Sequence, residues 1–172
     1  MPRTPIVAGN WKMHLNRTAA RELLTALRAE LDGLHGVEVC VCPPAPWLAD
    51  AADLLRGSTL HVGAQNVHWE PVGAYTGEVS PEMLRELGVH GAIVGHSERR
   101  RLFGDTDEWV NRKARAVVAA ELTPINFVSS GSGGIVEMIR FSHKQGFFKK
   151  QALDMTMIYV PSGVLAAQTV VS

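Results

Sequence analysis

Five short apolar runs rich in β-branched residues, at 5–8, 37–42, 59–64, 91–94 and 123–128, recur along the chain with helical patterns between them. Their starts lie roughly 22 to 32 residues apart, the length of one strand–helix unit, and that alternation is the signature of parallel βα units in one sheet. The expectation is an α/β fold of about four βα units plus a fifth strand. In the first helical pattern Thr18 is a candidate N-cap, with Leu23, Leu24, Leu27 and Leu31 at helical spacing among Arg21, Glu22, Arg28 and Glu30. Thr106 or Asp107 can cap a later helix running through Ala120, with Trp109, Val110, Ala114, Val117 and Val118 as its apolar face.

The alternation stops near Ile125, and composition changes at the same place. Residues 1–125 hold all four Trp, eleven of twelve Arg and fifteen of seventeen acids, whereas residues 126–172 hold four of five Phe and three of five Lys. This divides the chain into a 1–125 segment and a 126–172 tail of different origin, too short for an independent core. In the tail, 129–134 reads as a loop, either a plain flexible one or a cradle for phosphate. Residues 135–145 can form a helix and 155–160 a short strand, and Phe127, Phe141, Phe147, Phe148 and Ile139 are available to cover apolar surface.

Seventeen basic residues balance seventeen acidic ones, so no net charge draws the chain to nucleic acid or an anionic membrane. No secretory signal is visible, and Asp154, Pro161 and Gly163 weaken any reading of the apolar C-terminus as a span. Cys40 and Cys42 sit one residue apart, where a mutual disulfide would be strained and a zinc site would lack two ligands. They read as reduced core thiols of a cytoplasmic protein.

Polar residues just past strand ends carry chemistry in such folds, because the strands hold them rigidly at one edge of the sheet. The first run leads into Gly9-Asn10-Trp11-Lys12, and the fourth into Gly95-His96-Ser97-Glu98-Arg99-Arg100. A histidine there beside Glu98 is an acid/base candidate. The run Arg99-Arg100-Arg101 points in several directions and is best used in salt bridges to Glu98, Asp105 or Asp107.

Five motifs stand in this sequence: Ala8-Gly9-Asn10-Trp11-Lys12-Met13, Gly63-Ala64-Gln65-Asn66, Gly73-Ala74-Tyr75-Thr76-Gly77-Glu78, Val94-Gly95-His96-Ser97-Glu98-Arg99-Arg100 and Val110-Asn111-Arg112-Lys113. In order and spacing, residues 3–125 resemble the first half of the triose-phosphate isomerase family. The resemblance implies an incomplete (β/α)₈ TIM barrel and interconversion of dihydroxyacetone phosphate and glyceraldehyde 3-phosphate, a step of glycolysis and gluconeogenesis, with no metal and no organic cofactor. It implies that Asn10 positions substrate, that Lys12 binds it and offsets oxyanion charge, and that His96 polarises the carbonyl and shuttles protons. Ser97 would hold the histidine loop and Glu98 would partner the lysine. The resemblance places Tyr75 and Thr76 at a homodimer interface and Gln65 in an interface or structural role. Read without it, the stretch from Gly73 to Glu78 is a surface loop.

The family's carbon-acid base is a Glu in a Tyr-Glu-Pro-Val-Trp-like segment, and no such segment occurs after Ile125. Glu137 and Asp154 are the tail's only carboxylates, neither in a context that marks a base. The alternatives to an impaired isomerase are a half-barrel that binds or assembles without catalysis, and a chimeric or frame-disrupted product.

Overall fold

The structure is a computed structural model and describes residues 6–125. The readings of 129–134, 135–145 and 155–160, the tail phenylalanines, Glu137 and Asp154 lie outside the described residues, as do Pro5 and residues 126–128 of the fifth run.

Five strands form one parallel sheet in sequential order: β1 (Ile6–Asn10), β2 (Glu38–Cys42), β3 (Leu60–Ala64), β4 (Gly91–Ile93) and β5 (Thr123–Ile125). Register runs Ile6 opposite Glu38, Val39 opposite Leu60, Gly63 opposite Gly91 and Gly91 opposite Thr123. The connections are α1 (Arg17–Leu31), a 3₁₀ turn (Ala45–Trp47) with α2 (Leu48–Leu54), α3 (Pro81–Glu86), and the pair α4 (Ser97–Phe103) and α5 (Asp107–Ala119). Among the described residues β1 bonds only to β2, and β5 only to β4.

The strand period of two sorts side chains into two cores. Val39, Val41, Leu60, Val62, Ala92 and Val94 point to one face and meet Leu24, Leu27, Leu48, Leu84 and Val117 from the helices. Parallel strands joined by right-handed crossovers carry all their helices on that one side. Leu24 is fully buried there, and removing a leucine side chain from water stabilises by ~1.5–3 kcal/mol. The alternate positions, Cys40, Cys42 and Ile93 with Ile6, Ala8 and Ile125, form a second cluster on the opposite, concave face. Space there is tight: a Cβ on Gly63 would stand 2.8 Å from Cys42 Sγ, and one on Gly91 would collide with the Thr123 carbonyl oxygen.

The sheet curls. Asn10 and His96 follow strands separated by two others, a lateral gap of ~14 Å in a flat sheet at ~4.8 Å per strand. Their side chains nevertheless approach to 3.3 Å. Successive βα units that curl in this way are the opening part of a (β/α)₈ barrel, as the resemblance implies.

Two local expectations change. Asn16, not Thr18, caps α1, its Oδ1 accepting from the Ala19 N–H at 3.0 Å. Thr18 falls inside the first turn because the helix begins at Arg17. In α5 the N-cap is Thr106, whose side chain accepts from the Trp109 N–H, and Asp107 is the first helical residue. The buried stripe of that helix contains Lys113 and Val117, while Trp109 and Val118 are each 41% exposed. Trp109 rests against the Trp69 ring, 5.6 Å between centroids, instead of entering the core.

Candidate functional site

Because the strands are parallel, their C-terminal ends all open on one rim, and curling brings the residues after β1, β3 and β4 together. Lys12, two residues past Asn10, holds a left-handed backbone with φ 53°. A non-glycine residue there stores roughly 1–3 kcal/mol of strain that its surroundings must offset. Two bonds do so: the Lys12 N–H donates to Asn10 Oδ1 at 3.0 Å, and Gln65 Nε2 donates to the Lys12 carbonyl at 2.8 Å. Gln65 also donates to the Cys42 carbonyl at 2.9 Å, tying the loop after β3 to the ends of β1 and β2. The Lys12 ammonium projects from this clamp to Glu98 Oε1, 2.7 Å away. Both side chains are about two-fifths exposed, at 42% and 38%, so the pair contributes little to stability and chiefly fixes where the ammonium stands.

After β4 the chain turns at Gly95, φ 71°, where a Cβ would meet Val110 Cγ1 at 3.0 Å. Only glycine combines that left-handed turn with so close an approach by α5. His96 is buried and serves as the N-cap of α4, its Nδ1 accepting the Glu98 N–H at 3.1 Å. A backbone amide can only donate, so Nδ1 carries the lone pair and the neutral ring keeps its hydrogen on Nε2. Burial pushes the imidazole below its ordinary value of 6.5, and the Lys12 charge acts in the same direction. The Glu98 carboxylate, 3.7 Å from Nδ1, acts oppositely. Glu98 is itself held below the usual carboxylate range, first by its bond from Lys12.

Asn10 Nδ2 lies 3.3 Å from His96 Nε2. Asn10 Oδ1 already takes the Lys12 N–H, which fixes the amide so that Nδ2 is the nitrogen facing the ring. Two N–H groups therefore converge beside an ammonium and a carboxylate, a geometry made for an oxygen that carries or develops negative charge.

The structure brings Asn10, Lys12, Gln65, His96 and Glu98 together, with Ser97 half-buried in the first turn of α4. Tyr75 and Thr76 lie apart, exposed on the long loop between β3 and α3. In that loop the Tyr75 ring packs against His68 at a tilt of 52°, 4.1 Å between centroids, and remains 44% exposed, and Val72 is 81% exposed. Met13, beside Lys12, is 95% exposed. The arginine run divides as expected, Arg99 pairing with Asp105 at 3.2 Å and Arg100 with Asp107 at 2.6 Å. Cys40 and Cys42 are buried free thiols 4.0 Å apart, and Cys42 is pushed well above a thiol's usual range, first by its bond to Cys40 and then by burial.

Sequence reading assigned no role to Lys113. It is buried in α5, 2.8 Å from Asp105 and 2.9 Å from Asn66. The available signal was a charged residue at i+3 from Val110 and i−4 from Val117, on the stripe that faces inward. Among the described residues no three His, Cys, Asp or Glu side chains gather as metal ligands, and no helix is long and apolar enough to cross a membrane.

A family model described as triosephosphate isomerase matches residues 5–131. The triosephosphate isomerase of Herpetosiphon aurantiacus is 51% identical over 123 residues, covering 72% of this chain and 49% of that protein. The Lactobacillus delbrueckii subsp. bulgaricus protein of the same name is 49% identical over 125 residues, 73% of this chain and 50% of its own length. That of Moorella thermoacetica is 44% identical over 167 residues, reaching 92% of this chain and 67% of the relative. The chain spans about half the length of most of these relatives.

Proposed function

The chain belongs to the triosephosphate isomerase family, and from that premise we propose that its rim is the carbonyl-binding half of a triose phosphate site. The observation that carries the reading is the convergence of Asn10 Nδ2 and His96 Nε2, 3.3 Å apart, with Lys12 adjacent. In this reading Asn10 and Lys12 hold dihydroxyacetone phosphate or glyceraldehyde 3-phosphate, and the His96 N–H donates to the carbonyl oxygen as enediolate charge develops. A neutral imidazole that donates without surrendering a whole proton is the family's known solution, and burial here favours the same protonation state. Ser97 and Glu98 support the histidine and the lysine.

Abstraction of the carbon-bound proton needs a carboxylate aimed at that carbon. Residues 126–172 contain no Tyr-Glu-Pro-Val-Trp-like segment, so turnover by this chain is lowered by a factor of about 10² to 10⁴, the usual effect of losing a general base. The same reading includes a homodimer in which Tyr75 and Thr76 of one protomer meet the Asn10–Lys12 region of another. Exposed Met13, Val72 and Tyr75 support it, since apolar side chains gathered on two loops mark association surfaces. It also includes a cytoplasmic location, supported by the unpaired thiols Cys40 and Cys42.

A titration of the purified chain with dihydroxyacetone phosphate, followed through the His96 ring resonances, tests the site. The reading expects saturable shifts of His96 that disappear in Lys12→Met. Undisturbed His96 resonances at millimolar ligand would overturn it.

A further inference from the structure

The helix that carries His96 has no apolar anchor. Among the seven residues of α4 none is buried, and Leu102 and Phe103 are each 62% exposed. So short a helix is marginal in water unless tertiary contacts hold it. The contacts here are polar. Arg99 Nε donates to Asp105 Oδ2 at 3.2 Å, and the Asp105 N–H donates back to the Arg99 carbonyl at 3.3 Å. The same carboxylate oxygen receives Lys113 Nζ of α5 at 2.8 Å, and Lys113 also donates to Asn66 Oδ1 at 2.9 Å in the loop after β3. Asn66 in turn donates to Glu78 Oε2 at 3.1 Å.

Asp105 is thus a hub, 4% exposed, joining α4 to α5 and to the loop that bears Tyr75 and Thr76. Burying such a cluster is a poor route to stability, because desolvation of the charges offsets most of their attraction, and hydrophobic residues of similar volume commonly serve as well or better. Its Oδ1 is buried with no hydrogen-bond partner, a further expense in stability alone. What the cluster supplies is direction: two cations meet one oxygen only when α4 and α5 stand in one relation.

We infer that Asp105 is a positioning residue for His96, fixing through Arg99 the short helix whose first turn supplies the Glu98 N–H that holds the imidazole by Nδ1. Without the hub the first turn shifts, that bond loosens, and the hydrogen of the neutral ring divides between the two nitrogens. The inference rests on His96 being the group that faces substrate, but its readout is the imidazole itself and requires neither ligand binding nor turnover.

The test is a long-range ¹H–¹⁵N spectrum of the full chain labelled at histidine, recorded from pH 5 to 8 for wild type, Asp105→Asn and Arg99→Lys, with near-ultraviolet circular dichroism to establish folding. Wild type is expected to show one tautomer with the hydrogen on Nε2. In Asp105→Asn the ratio of tautomers falls by about five- to tenfold, the equilibrium effect of one hydrogen bond, and the ring's midpoint rises toward that of an exposed histidine. Arg99→Lys keeps the charge but loses the fixed Nε contact, and moves both quantities in the same direction by a smaller factor. If Asp105→Asn does not fold, Arg99→Lys decides alone. A folded variant with the wild-type tautomer and midpoint overturns the inference, and Asp53→Asn, whose pair with Arg56 is exposed and remote in sequence from α4, controls for non-specific change.

Discussion

Replacing Lys113 with methionine keeps the length of the buried stem and removes only the ammonium. That group makes two bonds, 2.8 Å to Asp105 and 2.9 Å to Asn66, from a side chain 4% exposed. Breaking one side of a buried pair typically destabilises by ~3–5 kcal/mol, because the surviving charge stays buried. Asp105 keeps Arg99 at 3.2 Å, which places the expectation at the lower end, about 3 kcal/mol. With an unfolding entropy of ~2.1 cal/mol/K per residue taken over residues 6–125, that corresponds to a fall in Tm of about 12 °C. The near-ultraviolet signal of Trp11, Trp47, Trp69 and Trp109 reports tertiary unfolding directly. The double variant Asp105→Leu with Lys113→Met should recover part of the loss, since it removes the buried carboxylate that Lys113→Met strands and leaves only Arg99, a quarter exposed, to turn toward solvent. A single variant within about 1 kcal/mol of wild type, or a double variant no better than the sum of its parts, would refute the account of this cluster.

Gly91→Ala puts a Cβ onto the Thr123 carbonyl oxygen and should open the β4–β5 ladder, a loss above ~2 kcal/mol by denaturant titration. Asp50 is held at about 2, first by its bond from Arg17, against an ordinary 3.8. Its contribution is therefore complete above pH 3.8 and fades as pH falls toward 2, and Asp50→Asn should flatten the acid limb of the stability profile in that window. His96 should titrate below 6.5, so its contribution to stability is whole above pH 6.5 and fades as pH falls below 6.5 toward the lowered folded-state value. Lys12→Met should raise its midpoint, because a cation that opposes protonation is removed while Glu98 is freed from its partner.

All five strands could be read from the sequence because each is a short apolar run closed by polar or glycine residues, and the structure moves their described boundaries by two residues or fewer. Caps were less legible. Asn16 and Thr18 are both good N-caps, and only the position where α1 begins chooses between them. Apolar counting reads the α5 face correctly at Ala114 and Val117 but also puts Trp109 and Val118 inward, which are each 41% exposed, and it carries no signal for the buried Lys113. Lys113 is buried because it pairs with Asp105, and neither partner signals the other across eight positions. The site residues were visible singly at strand ends, and only the family resemblance, not the residue pattern, placed them together, since the ends of β1 and β4 approach each other only through curl. Composition also has limits. Its break at Ile125 marks a change in residue usage, whereas the family match continues to residue 131 and the Moorella alignment covers 92% of the chain.

The central claim is that this chain carries the carbonyl-polarising half of an isomerase site without the base that completes it. A coupled isomerase assay on the purified full chain, with size-exclusion chromatography of the same sample, tests it most directly. The account predicts a folded, self-associating protein whose turnover lies at least ~10²-fold below that of a complete family member. Turnover equal to that of a complete member and abolished by His96→Ala would contradict it, and would turn attention to Glu137 and Asp154 as the base.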